Sequence, residues 1–191
     1  QTAMYHILEA MTCWLAPVLS FTAEEIWRNL PGERGPSVFL ATWYNGLFAV
    51  DDNDSFGAAY WEQLLGVREA VSKELEKLRV AGGIGSGLDA EVDLYCDGAL
   101  AADLGKLADE LRFFLITSYA RLQPLAARPA EAVEVQINGQ PLAVRVSPSA
   151  HAKCVRCWHH REDVGQNPEH PELCGRCVEN VAGSGEIRRY A

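Results

Sequence analysis

Apolar residues recur at helical spacing from the start of the chain. Met4, Leu8, Met11, Leu15 and Val18, with Ile7 and Trp14 beside them, predict one buried face of a helix ending near Pro17–Ser20. Thr22 followed by Glu25 has the form of a capping box, so a second helix is expected over about Ala23 to Leu30. Pro31, Gly32, Gly35 and Pro36 break it. Residues 31–56 then read as an irregular connection with a short apolar stretch, Val38–Trp43, and an acidic tip at Asp51, Asp52 and Asp54. The longest helix is predicted over 57–80. Tyr60, Leu64, Val67, Val71, Leu75 and Leu78 line one face, Glu69 and Lys73 pair on the other, and Gly82–Gly83 ends it.

The period then changes. Val92, Leu94 and Cys96 alternate with Glu91, Asp93 and Tyr95, the pattern of a half-buried strand. Residues 98–110 read as helical and Arg112–Tyr119 as β-rich. Val133, Val135 and Ile137, then Asn138-Gly139, then Leu142, Val144 and Val146 predict a hairpin closed by a type I′ turn. The expected fold is α+β: a helical segment at 1–83, a small unit of order βαββ at 84–148, and a cysteine-bearing module at 149–191 that Pro148 introduces.

Charge separates the last segment from the rest. The chain of 191 residues has a formal net charge of −9. All of it belongs to residues 1–150, because residues 151–191 hold six Lys+Arg against six Asp+Glu, with four of the five histidines. An acidic body argues against a protein whose whole surface grips nucleic acid, though not against a local nucleic-acid site. Glu9, His6 and Pro17 interrupt the apolar opening, and no run reaches the unbroken length of a membrane span or a signal peptide. Gln1 opens the chain inside a helical pattern, which suggests a fragment of a longer protein.

The chemistry is concentrated in Cys154-x2-Cys157, sixteen residues, Cys174-x2-Cys177. Two residues between cysteines let both thiolates converge from one tight knuckle. Two knuckles supply a tetrahedral sulfur shell that suits one structural zinc and leaves no open position for a substrate water. Two disulfides would need an oxidising compartment, and a redox pair would need a single C-x-x-C after a strand. Cys13 and Cys96 stand alone in apolar contexts and read as buried free thiols. His159, His160 and His170 are alternative ligands, but four sulfurs suffice and make them spectators. Lys153, Arg156 and Arg176 lie in or beside the knuckles, where they can offset the formal −2 of a zinc tetrathiolate or donate to phosphates. Trp158 has two roles open to it, packing over the metal core or stacking on an unpaired base. Arg188 and Arg189 are either a solvated tail or further phosphate contacts. No G-x-G-x-x-G, P-loop, H-E-x-x-H or nucleophile–base pair occurs, so no catalytic residue is assigned. Gly83-Ile-Gly-Ser-Gly87 precedes a strand rather than a helix and reads as a linker, not a phosphate cradle.

The stretch from Lys153 through the second knuckle to Arg188-Arg189-Tyr190 resembles the C-terminal zinc segment of bacterial isoleucyl-tRNA synthetases. Leu64–Cys96 is similar to the region that follows their anticodon-binding bundle, and His6–Gly32 to the end of that bundle. The resemblance covers essentially the whole chain and is most specific at the knuckles. It implies a class I synthetase that joins isoleucine to tRNA(Ile) with ATP. Its HIGH-like and KMSKS-like signatures and its editing domain are not in this sequence, so ATP and Mg would belong to the missing catalytic part. This segment would be an inactive, cytoplasmic, monomeric tRNA-recognition region whose partners are tRNA(Ile) and the rest of the synthetase chain. The family's zinc ligands fall on Cys154, Cys157, Cys174 and Cys177, and Lys153, Arg156, Trp158, Arg176, Arg188 and Arg189 would face the RNA. Glycine at 87, where many members carry serine, counts as a minor departure. Two other classes share the knuckles. One is the DNA-binding finger of formamidopyrimidine-type DNA glycosylases, whose catalytic N-terminal proline and body do not suit this chain. The other is a purely structural zinc module that touches no RNA.

Overall fold

The computed structural model describes residues 2–49 and 54–190. Asp51 and Asp52 of the expected acidic tip lie outside them. The chain divides into two compact units, Gln1–Asp54 and Ser55–Ala191.

In the first unit, α1 (Thr2–Leu15) and α2 (Ser20–Asn29) meet through small residues. Ala10, Ala16 and Ala23 are buried with Trp27 and Val38. Small side chains let the two backbones approach, and from α1 it is Cys13 that packs against this cluster, not the large apolar stripe. Within this unit the predicted buried face is therefore open: Met4 is 74% exposed and Val18 78%, and Leu8, Met11 and Leu15 are exposed too. Helix α2 begins two residues before the predicted cap, on Leu19 with no side-chain cap, so Thr22 lies inside the helix. Behind it, Glu9 is 5% exposed and is held by the Arg34 guanidinium, which also lies over the Trp27 ring at 4.9 Å. A buried carboxylate needs such a partner to remain ionised. The Arg34 hydrogen bonds accordingly keep the Glu9 carboxyl below its usual range.

The second unit is a four-stranded sheet of order β2-β1-β4-β3 with helices on one face. Strand β1 (Ala90–Tyr95) pairs parallel with β2 (Tyr119–Gln123) and antiparallel with β4 (Gln140–Pro148), and β4 pairs with β3 (Val133–Ile137). Parallel neighbours require a crossover, here α4 (Gly98–Gly105) and α5 (Leu111–Leu115). The prediction of β structure from Arg112 is thus corrected. Leu111 and Leu115, one turn apart, are buried with Leu104 and Leu107, which makes 111–115 helical. Ile116 then adopts φ of +58° and turns the chain into β2. The hairpin forms as expected, with Asn138 and Gly139 at φ of +49° and +76°, the pair of positive values a type I′ turn demands.

Helix α3 (Ala58–Val80) lays Tyr60, Leu64, Val67 and Val71 into the same core as Val92, Leu94, Leu142 and Val144. The contact division falls at 54/55, and the predicted apolar face of α3 closes the sheet. Cys96 is buried there, and burial pushes its thiol up to about 11, so it is inert. Cys13 is half-buried. Among the described residues no helix is long and apolar enough to cross a membrane.

These packing assignments predict opposite outcomes for two large side chains. Leu94→Ala, at a site with no exposure, should lower unfolding free energy by about 2–5 kcal/mol. Met4→Ala should change it by less than about 0.5 kcal/mol. Urea titration of the chain followed by circular dichroism measures both.

Candidate metal centre

The first knuckle is a tight hairpin. The Cys154 N–H donates to the His159 carbonyl and the Trp158 N–H to the Cys154 carbonyl, each at 2.9 Å. Lys153 and His160 form a bridge at its base, and the Arg161 N–H donates to Ala152 at 2.9 Å. Trp158 occupies φ of +66°, a left-handed conformation that costs a non-glycine residue about 1–2 kcal/mol. The second knuckle opens α6 (Gly175–Ala182), with Cys174 as the N-cap and Cys177 in the first turn. Asp163 reaches across to accept the Gly175 N–H at 2.9 Å, and a Cβ at 175 would stand 2.8 Å from that oxygen. Glycine at this position is therefore part of how the second knuckle is held.

All four sulfurs lie within 4.8 Å of one another, the one such group of potential metal ligands among the described residues. Cys154 and Cys177 are fully buried and Cys174 nearly so. Cys157 Sγ and Cys174 Sγ are 3.7 Å apart, far beyond a disulfide bond. That spacing matches the roughly 3.8 Å edge of a tetrahedron with metal–sulfur bonds of about 2.3 Å. The donor set thus fits zinc. Further hydrogen bonds converge on the sulfurs. The Cys174 N–H donates to Cys154 Sγ at 3.4 Å and Arg156 Nη1 approaches Cys177 Sγ at 3.6 Å. Cys157 is held well below its ordinary value, chiefly by the bond it accepts from Cys174 and then by donors from His159 and Arg176. Donating that bond, and burial, push Cys174 up.

The histidines serve the frame. His159 is 7% exposed, its Nδ1 3.2 Å from the Cys157 carbonyl and its ring edge-on to Phe113. His160 Nδ1 lies 2.7 Å from the His151 carbonyl and Nε2 3.3 Å from Asp89 Oδ1. His170 caps a local turn through its own backbone N–H on Asn167. None of the three belongs to the sulfur cluster.

The predicted cations are not one open patch. Lys153 is bound to Asp89 at 3.1 Å. Arg156 faces Cys177. Arg176 and Arg188 both hold Glu186, at 3.1 and 3.0 Å, and both lie over Phe113. The Arg189 backbone N–H donates to Glu110. Trp158, by contrast, stands 62% exposed.

Several residues that build the site escape sequence reading. Asp89 gathers the backbone N–H groups of Gly85 and Ser86, Lys153 and His160. Against the burial that would raise it, the Lys153 bond and these N–H groups hold its carboxyl at about 2. Ser118 accepts the His160 N–H at 2.6 Å and donates to Leu88, and Arg121 and Arg161 both lie over the Tyr119 ring. These residues lie about 40–70 positions from the knuckles, beyond any local signal. The supposed linker 83–87 is a built turn whose Ser86 and Asp89 form a capping box. Gly87 is not a minor position either, since a Cβ there would meet the Ile116 carbonyl oxygen at 2.7 Å.

The sulfur geometry predicts that the chain takes up one zinc and that Cys174→Ser loses it. Chelation should expose 153–181 to hydrogen exchange while the buried face of α3 stays protected, because α3 belongs to the separate apolar core. Native mass spectrometry and hydrogen-exchange mass spectrometry check both.

Comparison with known proteins agrees with this site. Residues 153–180 match the family model described as the zinc finger found in FPG and IleRS. Residues 1–94 match that of the anticodon-binding domain of tRNA ligase. The whole chain is 62% identical to the isoleucine–tRNA ligase of Thioalkalivibrio sulfidiphilus, 60% to that of Methylococcus capsulatus and 58% to that of Pseudomonas paraeruginosa. In each case it spans about a fifth of the relative's length. Likeness that runs without a break from the helices through the sheet to both knuckles is more than a shared finger: over its whole length this chain is similar to isoleucine–tRNA ligases.

Proposed function

We propose that this chain is the anticodon-side tRNA-recognition part of an enzyme that attaches isoleucine to tRNA(Ile) with ATP, and that it lacks catalytic activity by itself. ATP and Mg would act in the remainder of the synthetase, which works as a cytoplasmic monomer. One zinc per chain, held by Cys154, Cys157, Cys174 and Cys177, would supply a rigid frame and no step of the reaction. Residues 149–191 form the metal-held module of that frame.

The observation that carries the recognition role is Trp158. A large ring is 62% exposed on a backbone that strains to present it, in the turn between a zinc ligand and a buried histidine. The knuckle's own hydrogen bonds hold that backbone, but the ring itself gains nothing from burial, and a partner that covers it would supply that gain. An unstacked base of an anticodon loop supplies a π-face for such a platform. The DNA-glycosylase reading loses ground because the anticodon-binding match and the relatives' likeness extend well beyond the finger. The purely structural reading keeps one observation in its favour, the ion pairs that already occupy Lys153, Arg176 and Arg188.

Two substitutions at one position separate these readings. Trp158→Gly relaxes the left-handed backbone, so the variant should remain folded and zinc-loaded. Both Trp158→Gly and Trp158→Ala, made in the full-length synthetase, should weaken tRNA(Ile) binding by about 1–3 kcal/mol and leave isoleucine-dependent pyrophosphate exchange intact. Unchanged tRNA affinity in the zinc-loaded glycine variant would establish the structural module instead.

A further inference from the structure

Beside the sulfur cluster, where Arg176 also donates to Cys157, lies a second group of charges. Three guanidinium groups converge on the ring of Phe113 in α5: Arg112 at 4.2 Å, Arg188 at 4.4 Å and Arg176 at 5.0 Å from its centroid. Arg112 is tied to Asp109. Arg176 and Arg188 instead clamp one carboxylate. Arg176 Nη1 lies 3.1 and 3.3 Å from the two Glu186 oxygens, and Arg188 Nε lies 3.0 Å from one of them. Two guanidiniums closing on one small oxyanion is also the arrangement that binds a phosphate.

Glu186 reaches this position on a strap that leaves α6 through a turn tied to Glu179. The Gly183 and Gly185 N–H groups donate to its carbonyl and Ser184 to its carboxylate, with Gly185 at φ of +93°. Beyond this turn the strap is pinned by backbone groups, the Glu186 N–H on Asn180 and the Arg189 and Tyr190 N–H groups on Glu110. His159, next in sequence to the exposed Trp158, stands edge-on against the same Phe113 ring.

We propose that Glu186 is an internal stand-in for an RNA phosphate: on tRNA binding a phosphate replaces its carboxylate between Arg176 and Arg188, over Phe113. The inference rests on the anticodon-side reading of the module. An occupied clamp keeps two arginines from gripping arbitrary polyanions. It opens for a ligand that offers a phosphate where Trp158 has already engaged a base.

The test uses full-length synthetase and a tRNA(Ile) transcript. Glu186→Gln removes the competing charge at nearly constant shape. It should tighten tRNA binding by about threefold to tenfold, and steepen the dependence of log affinity on log salt by roughly one, because the phosphate no longer competes with a carboxylate charge for Arg176 and Arg188. Arg188→Gln in the same background should abolish both gains. Glu186→Asp keeps the charge and should bind as the parent does. Equal gains from Glu186→Gln and Glu186→Asp would mean that loosening the strap is what matters, and would overturn the proposal. So would an unchanged affinity and slope for a zinc-loaded Glu186→Gln protein. If Glu186→Gln loses zinc, Arg188→Gln alone decides: a salt slope shallower by about one supports the phosphate contact, and an unchanged slope rejects it. Trp158→Gly separates this idea from the reading beneath it. Loss of binding there with no effect at Glu186 removes only the clamp, whereas no effect at Trp158 removes the recognition role itself.

Discussion

Everything distinctive in the last forty residues depends on four sulfurs being in one place. Apart from the cysteines, the module's interior holds little more than Val164 and Leu173. Burial of so small an apolar surface cannot offset the conformational entropy of ordering the segment. The knuckles solve this with backbone geometry. Each closes on its own hydrogen bonds, and both present their thiols to a common centre with edges of metal-shell length. A metal bound there contributes its binding free energy directly to folding. The sheet domain beside it has no such need, because α3, β1 and β4 bury a continuous aliphatic core.

A metal-held module is useful to a recognition surface when its orientation is also set. Asp89 and Ser118 do this from the ends of the sheet. Asp89 gathers two backbone N–H groups, Lys153 and His160, while Ser118 ties the His160 backbone to Leu88. Charge-assisted bonds to a carboxylate with little exposure are stronger than those of a surface pair. On the far side, Phe113 under its arginines connects α5 to α6 and the strap. The module is thus held at two places on the second unit, while the Trp158 ring stays exposed.

Local signals were legible where the physics is local. The face of α3, the Asn138-Gly139 turn, the alternation of β1 and the paired C-x2-C spacing all involve neighbours a few residues apart, and the structure reproduces each. The failures share a different cause. The large stripe of α1 looked like a core face, but the cluster that forms with α2 is built on the small residues Ala16 and Ala23, with Cys13 against it. Arg112–Leu115 has β-rich composition, yet the parallel pairing of β1 with β2 needs a crossover, and burial of Leu111 and Leu115 makes it helical.

The sequence by itself determined the α+β class, the metal-ligand set to be expected and the family resemblance, because spacing along a chain dictates which side chains share a turn or a knuckle. Tertiary structure alone decided what each cation is for. Lys153, Arg176 and Arg188 look like free positive charge in sequence, but Asp89 and Glu186 occupy them, the first from 64 residues away. Charge is additive along a sequence, whereas its availability depends on which carboxylate the fold brings within hydrogen-bond reach. No count of residues contains that information.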